Sequence, residues 1–284
     1  MIRVIVLGSN GMAGHVLVNF LKRFPEKYLV LSVARSKSKV GPDIILNLAD
    51  FDGLKALIIK WQPDVIINSA GILNLSAENA PAEAILINSF LPHFLVEVTK
   101  ETKCKIIHVS TDCVFSGKKG GYLENSTKDG IGYYAQTKAL GEINNQKDLT
   151  IRTSIIGPEI KSDRIGLFDW FMNQKGQIFG YTNAIWSGVT TMQLARIIDY
   201  SIEKNLSGLI HAVNNQKISK YDLLLIFKSC FQVDDITIMK KDDYYVDKSL
   251  VNSRVDFQYP IPSYLDMVIE LKEWVESQKS LYNY

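Results

Sequence analysis

The chain has 284 residues, 46% of them hydrophobic and 22% charged, and its 32 lysines and arginines nearly cancel 30 acidic residues, for a formal net charge of +2. That balance argues against a general nucleic-acid binder, and that apolar share against a disordered chain. Three cysteines (Cys104, Cys113, Cys230) form no CxxC pair, no apolar run reaches the ~18 residues of a membrane helix, and MIRVIVLGSNG reaches glycine too early for a signal peptide. The expectation is a cytoplasmic globular protein with no membrane and no nucleic-acid partner.

Residues 2–7 (IRVIVL) read as a strand buried on both faces. After a glycine turn, MAGHVLVNFLKRF carries Val16, Leu17, Phe20 and Leu21 at helical spacing until Pro25 stops it. Further strands are predicted over 28–35, 43–46, 64–71, 105–112 and 149–154, with helices over 51–60, 80–100 and 134–145. This alternation implies an α/β fold: a doubly wound (Rossmann) parallel sheet over residues 1–155, with ligands at the carboxyl ends of its strands. Beyond it, helices are predicted over 167–174, 190–204, 219–231 and 264–278, and the charged run KKDDYYVDKS (240–249) reads as a surface loop. Residues 156–284 are expected to form mostly a smaller α+β substrate-binding cap, with 189–213 returning to the sheet.

The turn Gly8-Ser9-Asn10-Gly11-Met12-Ala13-Gly14 spells GxxGxxG between strand and helix. The first glycine permits the tight turn, the second admits a pyrophosphate to the backbone, and the third lets helix and strand pack closely. Gly8, Asn10, Gly11, Met12 and Gly14 are thus candidate cofactor contacts. NAD binders place an acid about 20 residues on, for the ribose 2′-hydroxyl. Here Arg35 stands 21 positions past Gly14, followed by Lys37 and Lys39. Cations suit a 2′-phosphate, so NADPH is expected, with NADH possible; a solvated surface run is the alternative.

Three Tyr-x-x-x-Lys pairs occur among 13 tyrosines: Tyr134/Lys138, Tyr200/Lys204 and Tyr244/Lys248. Residues four apart share a helix face, and a lysine cation favours tyrosinate, which predicts a lowered tyrosine pKa. Tyr200 sits among Ile197, Ile198 and Ile202, which packing explains, and Tyr244 lies in the charged run. Tyr134 alone opens a helix after a strand that ends in Ser110-Thr111-Asp112.

GxxGxxG, STDCVFSG (110–117), YAQTKALGE (134–142) and IRTSIIG (151–157) together resemble the extended short-chain dehydrogenase/reductases, and STD-x-VF-x-G resembles the dTDP-4-dehydrorhamnose reductase family most. The resemblance implies that Thr111 holds a substrate carbonyl, that Tyr134 gives it a proton, that Lys138 lowers the tyrosine pKa and bonds the nicotinamide ribose, and that Tyr134 and Lys138 both contact the cofactor. It implies hydride transfer from NADPH to C4 of a 4-keto-6-deoxy nucleotide sugar. Asn68, Ser69, Ala70 and Gly71 match the loop beside the cofactor, and Asn47 and Leu48 flank the adenine. In the cap, Asn183 and Trp186 are candidate substrate contacts, and Arg254 matches a diphosphate-binding arginine.

Several positions depart from the family pattern. Related 4,6-dehydratases carry Thr-Asp-Glu; Cys113 replaces that glutamate, so dehydration is not expected. Ile155 stands where rhamnose reductases place Trp, and LNLSAENA (73–80) replaces a VDKAE-like stretch. Both fall near the expected sugar pocket, so the sugar need not be the rhamnose precursor. Val16 replaces the glutamate of a metal-linked dimer, so no metal is expected, and the chain is read as a monomer or homodimer. Two alternatives remain open: a cofactor-binding regulatory subunit like that of methionine adenosyltransferase, and a nucleotide-sugar epimerase.

Overall fold

The computed structural model describes residues 1–160, 166–282 and 284. The first half runs β1 (Ile2–Leu7), α1 (Met12–Leu21), β2 (Tyr28–Ala34), β3 (Ile44–Ile45), α2 (Phe51–Trp61), β4 (Val65–Asn68), α3 (Asn74–Asn79), α4 (Pro81–Ala84), α5 (Leu91–Val98), β5 (Lys105–Thr111), α6 (Tyr133–Leu140) and β6 (Leu149–Thr153). The second runs β7 (Ile155–Ile156), α7 (Leu167–Met172), β8 (Gly176–Tyr181), β9 (Ala184–Trp186), β10 (Val189–Thr190), α8 (Thr191–Glu203), β11 (Gly208–His211), β12 (Ile218–Ser219), α9 (Lys220–Phe231), β13 (Ile236–Lys241), β14 (Val246–Asp247) and α10 (Tyr264–Ser277).

Seven strands pair in parallel in the order β11-β6-β5-β4-β1-β2-β3. This is the doubly wound Rossmann sheet. Alternation along β1 divides the core: Val4 and Val6 join the cluster of α1 and α8, while Ile5 and Leu7 join that of α2 and α5. Helices on both faces explain why β1 reads as an unbroken apolar run. Strand order reverses between β1 and β4, which opens a crevice at their carboxyl ends.

β11 pairs with β6, and α8 packs on α1, so this stretch is part of the sheet layer. Around it, β8 pairs with β13, β9 lies between β12 and β14, and α9 and α10 pack together. Phe168, Phe171, Phe227 and Leu271 share one buried cluster with Val4 and Leu17, so the two halves share a core. No described helix is long and apolar enough to cross a membrane.

Two expectations need correction. The helix over 80–100 is not continuous: α4 gives way to a π-helical stretch, Ile85–Phe90, before α5. Pro92 has no N–H for the Asn88 carbonyl, which faces Gly141 so closely that any β-carbon there would overlap it. The run 240–249 is not a plain surface loop either. Lys240 and Lys241 end β13, Val246–Asp247 form β14, and Ser249 is fully buried. Charged residues hid the strand because β13 has an exposed face.

Candidate active site

The glycine turn leaves β1 at Gly8, whose φ of +80° favours glycine. A β-carbon at Gly8 would lie 2.8 Å from Ala70 N, and one at Gly14 would overlap the Gly8 carbonyl oxygen and lie 2.8 Å from its carbon. α1 begins at Met12 with Gly11 as its side-chain-free cap and no acid in its first turn. The first N–H groups of a helix and its positive dipole end suit an anion. The buried Ser9 hydroxyl has no hydrogen-bond partner among the described residues. These features fit the pyrophosphate of a dinucleotide. Gly14→Ala is expected to destabilise the fold by about 1–3 kcal/mol, because backbone and not a flexible side chain must move. Urea titration reads this as a lower midpoint; an unchanged midpoint would mean the turn can yield without cost.

From this turn a cavity of about 460 Å³ runs along the carboxyl ends of the strands to Thr111, Tyr134 and Lys138. Gly8, Asn10, Gly11, Met12, Arg35, Asn47, Leu48, Ser69, Ala70 and Gly71 line it; Gly14 packs behind the turn. At the β2 end, Arg35 pairs with Glu83 at 3.1 Å, and both side chains are well exposed.

β5 ends in Thr111, whose hydroxyl lies 3.2 Å from Asp112 Oδ1 and accepts the Cys113 N–H at 3.1 Å. Tyr134 and Lys138 share one face of α6. Glu78 of α3 accepts the Tyr134 N–H at 3.3 Å and so helps hold the start of that helix. The lowered tyrosine pKa expected from the spacing is not found. Burial, and next the Cys113 side chain, push the Tyr134 phenol above its usual range, while a hydrogen bond with Thr111 pulls the other way. The Lys138 ammonium bonds away from the phenol, to the Val109 carbonyl at 2.8 Å and His108 Nε2 at 3.3 Å. The outcome is a protonated tyrosine at neutral pH, the state a proton donor needs.

The geometry can be set beside known proteins. A family model described as RmlD substrate binding domain matches residues 2–244. The chain belongs to that family. Among relatives of this RmlD-family chain, the methionine adenosyltransferase 2 subunit beta of Xenopus tropicalis is 25% identical over 81% of this chain and 72% of its own. The dTDP-4-keto-6-deoxy-D-glucose reductase of Streptomyces niveus is 26% identical over 78% of this chain and 76% of its own. A solved dTDP-4-dehydrorhamnose reductase from Bacillus anthracis, in complex with NADP, superposes with a TM-score of 0.81 at 21% identity, covering 98% of this chain and all (100%) of that one.

In this RmlD-family chain the three cap candidates lie away from the cavity. Trp186 is a core side chain, 5% exposed, beside the Tyr264 ring. Asn183 donates to the Asp242 carbonyl. Arg254 pairs with Asp256 at 2.7 Å and donates to the Ser207 and Leu209 carbonyls, at the amino end of β11. Pairing of β9 with β12 and β14 places Trp186, and contacts with Asp256 and the start of β11 place Arg254; both are long-range or loop contacts that one sequence does not reveal. Cys113 does line the cavity. Burial first, then the Asp112 charge, push its thiol up to about 11, so it stays neutral, and Lys248 Nζ lies 3.4 Å from its sulfur.

Sequence reasoning missed the buried support of the site. Glu142 accepts from Ser110 at 2.8 Å and from Arg152 at 2.7 Å, and Arg152 also donates to His211 Nε2 at 2.8 Å. Both Glu142 and Arg152 lie inside the motifs that carry the resemblance, as the last residue of YAQTKALGE and the second of IRTS. That placement was the available signal.

Proposed function

We propose that this chain is an NADPH-dependent reductase of the C4 ketone of a nucleotide-linked 4-keto-6-deoxy sugar. One observation supports it above the others: the glycine cradle and the Thr111, Tyr134 and Lys138 side chains open into the same cavity. Bound NADPH supplies the hydride. Tyr134, held as a phenol by burial, gives its proton to the carbonyl oxygen as charge develops there. Thr111 sits against that phenol and orients the carbonyl. Lys138 presents its remaining ammonium donor to the cavity, for the cofactor's ribose. The names of the reductase relatives favour a nucleotide sugar, and Arg35 favours the 2′-phosphate of NADPH. A panel of dTDP-, UDP-, GDP- and CDP-linked 4-keto-6-deoxy sugars tests the reading: NADPH oxidation with one of them supports it, and none with any rejects it.

A regulatory-subunit reading is favoured by the similarity to the Xenopus protein. It predicts stable association with a methionine adenosyltransferase and no ketone reduction. An epimerase would hold NAD tightly and consume no NADPH.

Glu83 competes for Arg35 at the ribose end. An exposed ion pair is worth about 0.2–1 kcal/mol. Glu83→Gln is therefore expected to tighten NADPH by about 1.4- to fivefold with NADH unchanged. Calorimetric titration with both cofactors checks this; equal effects on the two would remove Arg35 from 2′-phosphate recognition.

A further inference from the structure

Lys138 is anchored by more than its own helix. Of its three ammonium donors, one goes to the Val109 carbonyl and one to His108 Nε2. His108 is fully buried (0% exposed) in β5, and its Nδ1 lies 3.2 Å from the side-chain amide of Asn68, itself fully buried in β4. The path Asn68–His108–Lys138 crosses two neighbouring strands and ends on the helix that carries Tyr134.

Charge and tautomer define what this path can do. Burial, reinforced by the charges of Lys138 and of His93 in α5, keeps His108 neutral. A neutral imidazole that accepts at Nε2 carries its proton on Nδ1, toward Asn68. In the structure the amide nitrogen faces the ring while its oxygen accepts the Ala70 N–H at 3.2 Å, so an Nδ1 proton requires the amide to flip and give up that bond. Burial lowers the Lys138 amine to about 8, against the opposing charge of Glu142 just past the end of α6. The imidazole is thus a neutral acceptor on an amine that burial pushes toward its free base.

We infer that His108, oriented by Asn68, is a positioning residue for Lys138, aiming its ammonium and holding its proton. Its catalytic consequence rests on the reductase reading; the contact itself does not. An acceptor stabilises the ammonium over the free amine, so losing it moves the Lys138 titration to lower pH.

Competitive labelling with acetic anhydride between about pH 6 and pH 10, read on the Lys138 peptide by mass spectrometry, follows this amine without turnover. In His108→Leu the midpoint is expected to fall by about one pH unit. His108→Gln, whose amide oxygen can accept, is expected to restore most of it. An unmoved midpoint in folded His108→Leu overturns the inference. Should that variant fail to fold, Asn68→Leu decides in the same way, because an unoriented imidazole no longer holds the proton. A shifted midpoint in a protein that reduces no keto sugar defeats the reductase reading and leaves this one standing. Where turnover is present, the alkaline limb of kcat moves with the labelling midpoint, which a merely structural role would not produce.

Discussion

Tyr134→Phe is expected to lower kcat for ketone reduction by about 10²–10⁴-fold, the usual contribution of a positioned acid. The substitution removes one hydroxyl and keeps the ring. The cofactor cradle lies on other elements, so NADPH affinity should stay within about twofold of the parent. Stopped-flow reduction and fluorescence titration of NADPH separate the two effects. A kcat within tenfold of the parent would remove Tyr134 as the proton donor. Equal loss of binding and turnover would make the ring a cofactor contact instead. The raised phenol pKa adds a sign. The donor must be protonated, so Tyr134 itself does not limit activity near neutral pH. Lys138, brought down to about 8, is the group whose charge is lost first as pH rises, so turnover should decline above that value.

Glu142→Ala is expected to cost about 3–5 kcal/mol of stability, out of the 5–15 typical of a folded domain. The Glu142 and Arg152 side chains are both about 2% exposed, and the variant strands a guanidinium in the core with His211, a backbone carbonyl and the Phe115 ring beside it but no carboxylate partner from Glu142. His211 offers no compensation in charge: burial, then Arg152, lower its pKa to about 4, so it is neutral. Burial alone would raise the Glu142 carboxyl, but Arg152, Lys128 and Ser110 more than offset this and hold it below the usual carboxylate range. The pair's stabilisation is therefore present above the unfolded pKa and lost only as pH falls through the lowered one. Urea denaturation at neutral pH checks the size. Glu142→Leu combined with Arg152→Met should recover much of the loss, since the penalty is the stranded charge. A loss below about 1 kcal/mol for Glu142→Ala would show that water or repacking reaches Arg152.

The parts legible in the sequence were those with local causes. β1 and β5 are apolar runs bounded by turn chemistry, and GxxGxxG announces a backbone shape that a β-carbon would block. The break in the 80–100 helix also had a local cause, in Pro92, but its acceptor Asn88 and the facing Gly141 lie far apart in sequence. Trp186 and Arg254 lie away from the cavity for a related reason. Aromatic and cationic side chains suit core and surface pairing as well as ligands, and only the cap's strand pairing around Trp186 and the loop contacts of Arg254 decide. His108 is a core residue, and its bond to Lys138 needed the geometry of β5 against α6. The expected effect of Lys138 on Tyr134 failed because spacing reports a shared face and not where an ammonium points.

The central claim is a hydride delivered to a sugar ketone in this cavity while Tyr134 supplies the proton. Its most direct test uses NADPH deuterated at the transferable C4 position, with dTDP-4-keto-6-deoxyglucose first among the keto sugars, and mass and NMR analysis of the product. The account predicts one deuterium at sugar C4 with the parent protein and none above background with Tyr134→Phe. Unlabelled or unconverted sugar across the panel with the parent protein, with the cofactor bound, would contradict it.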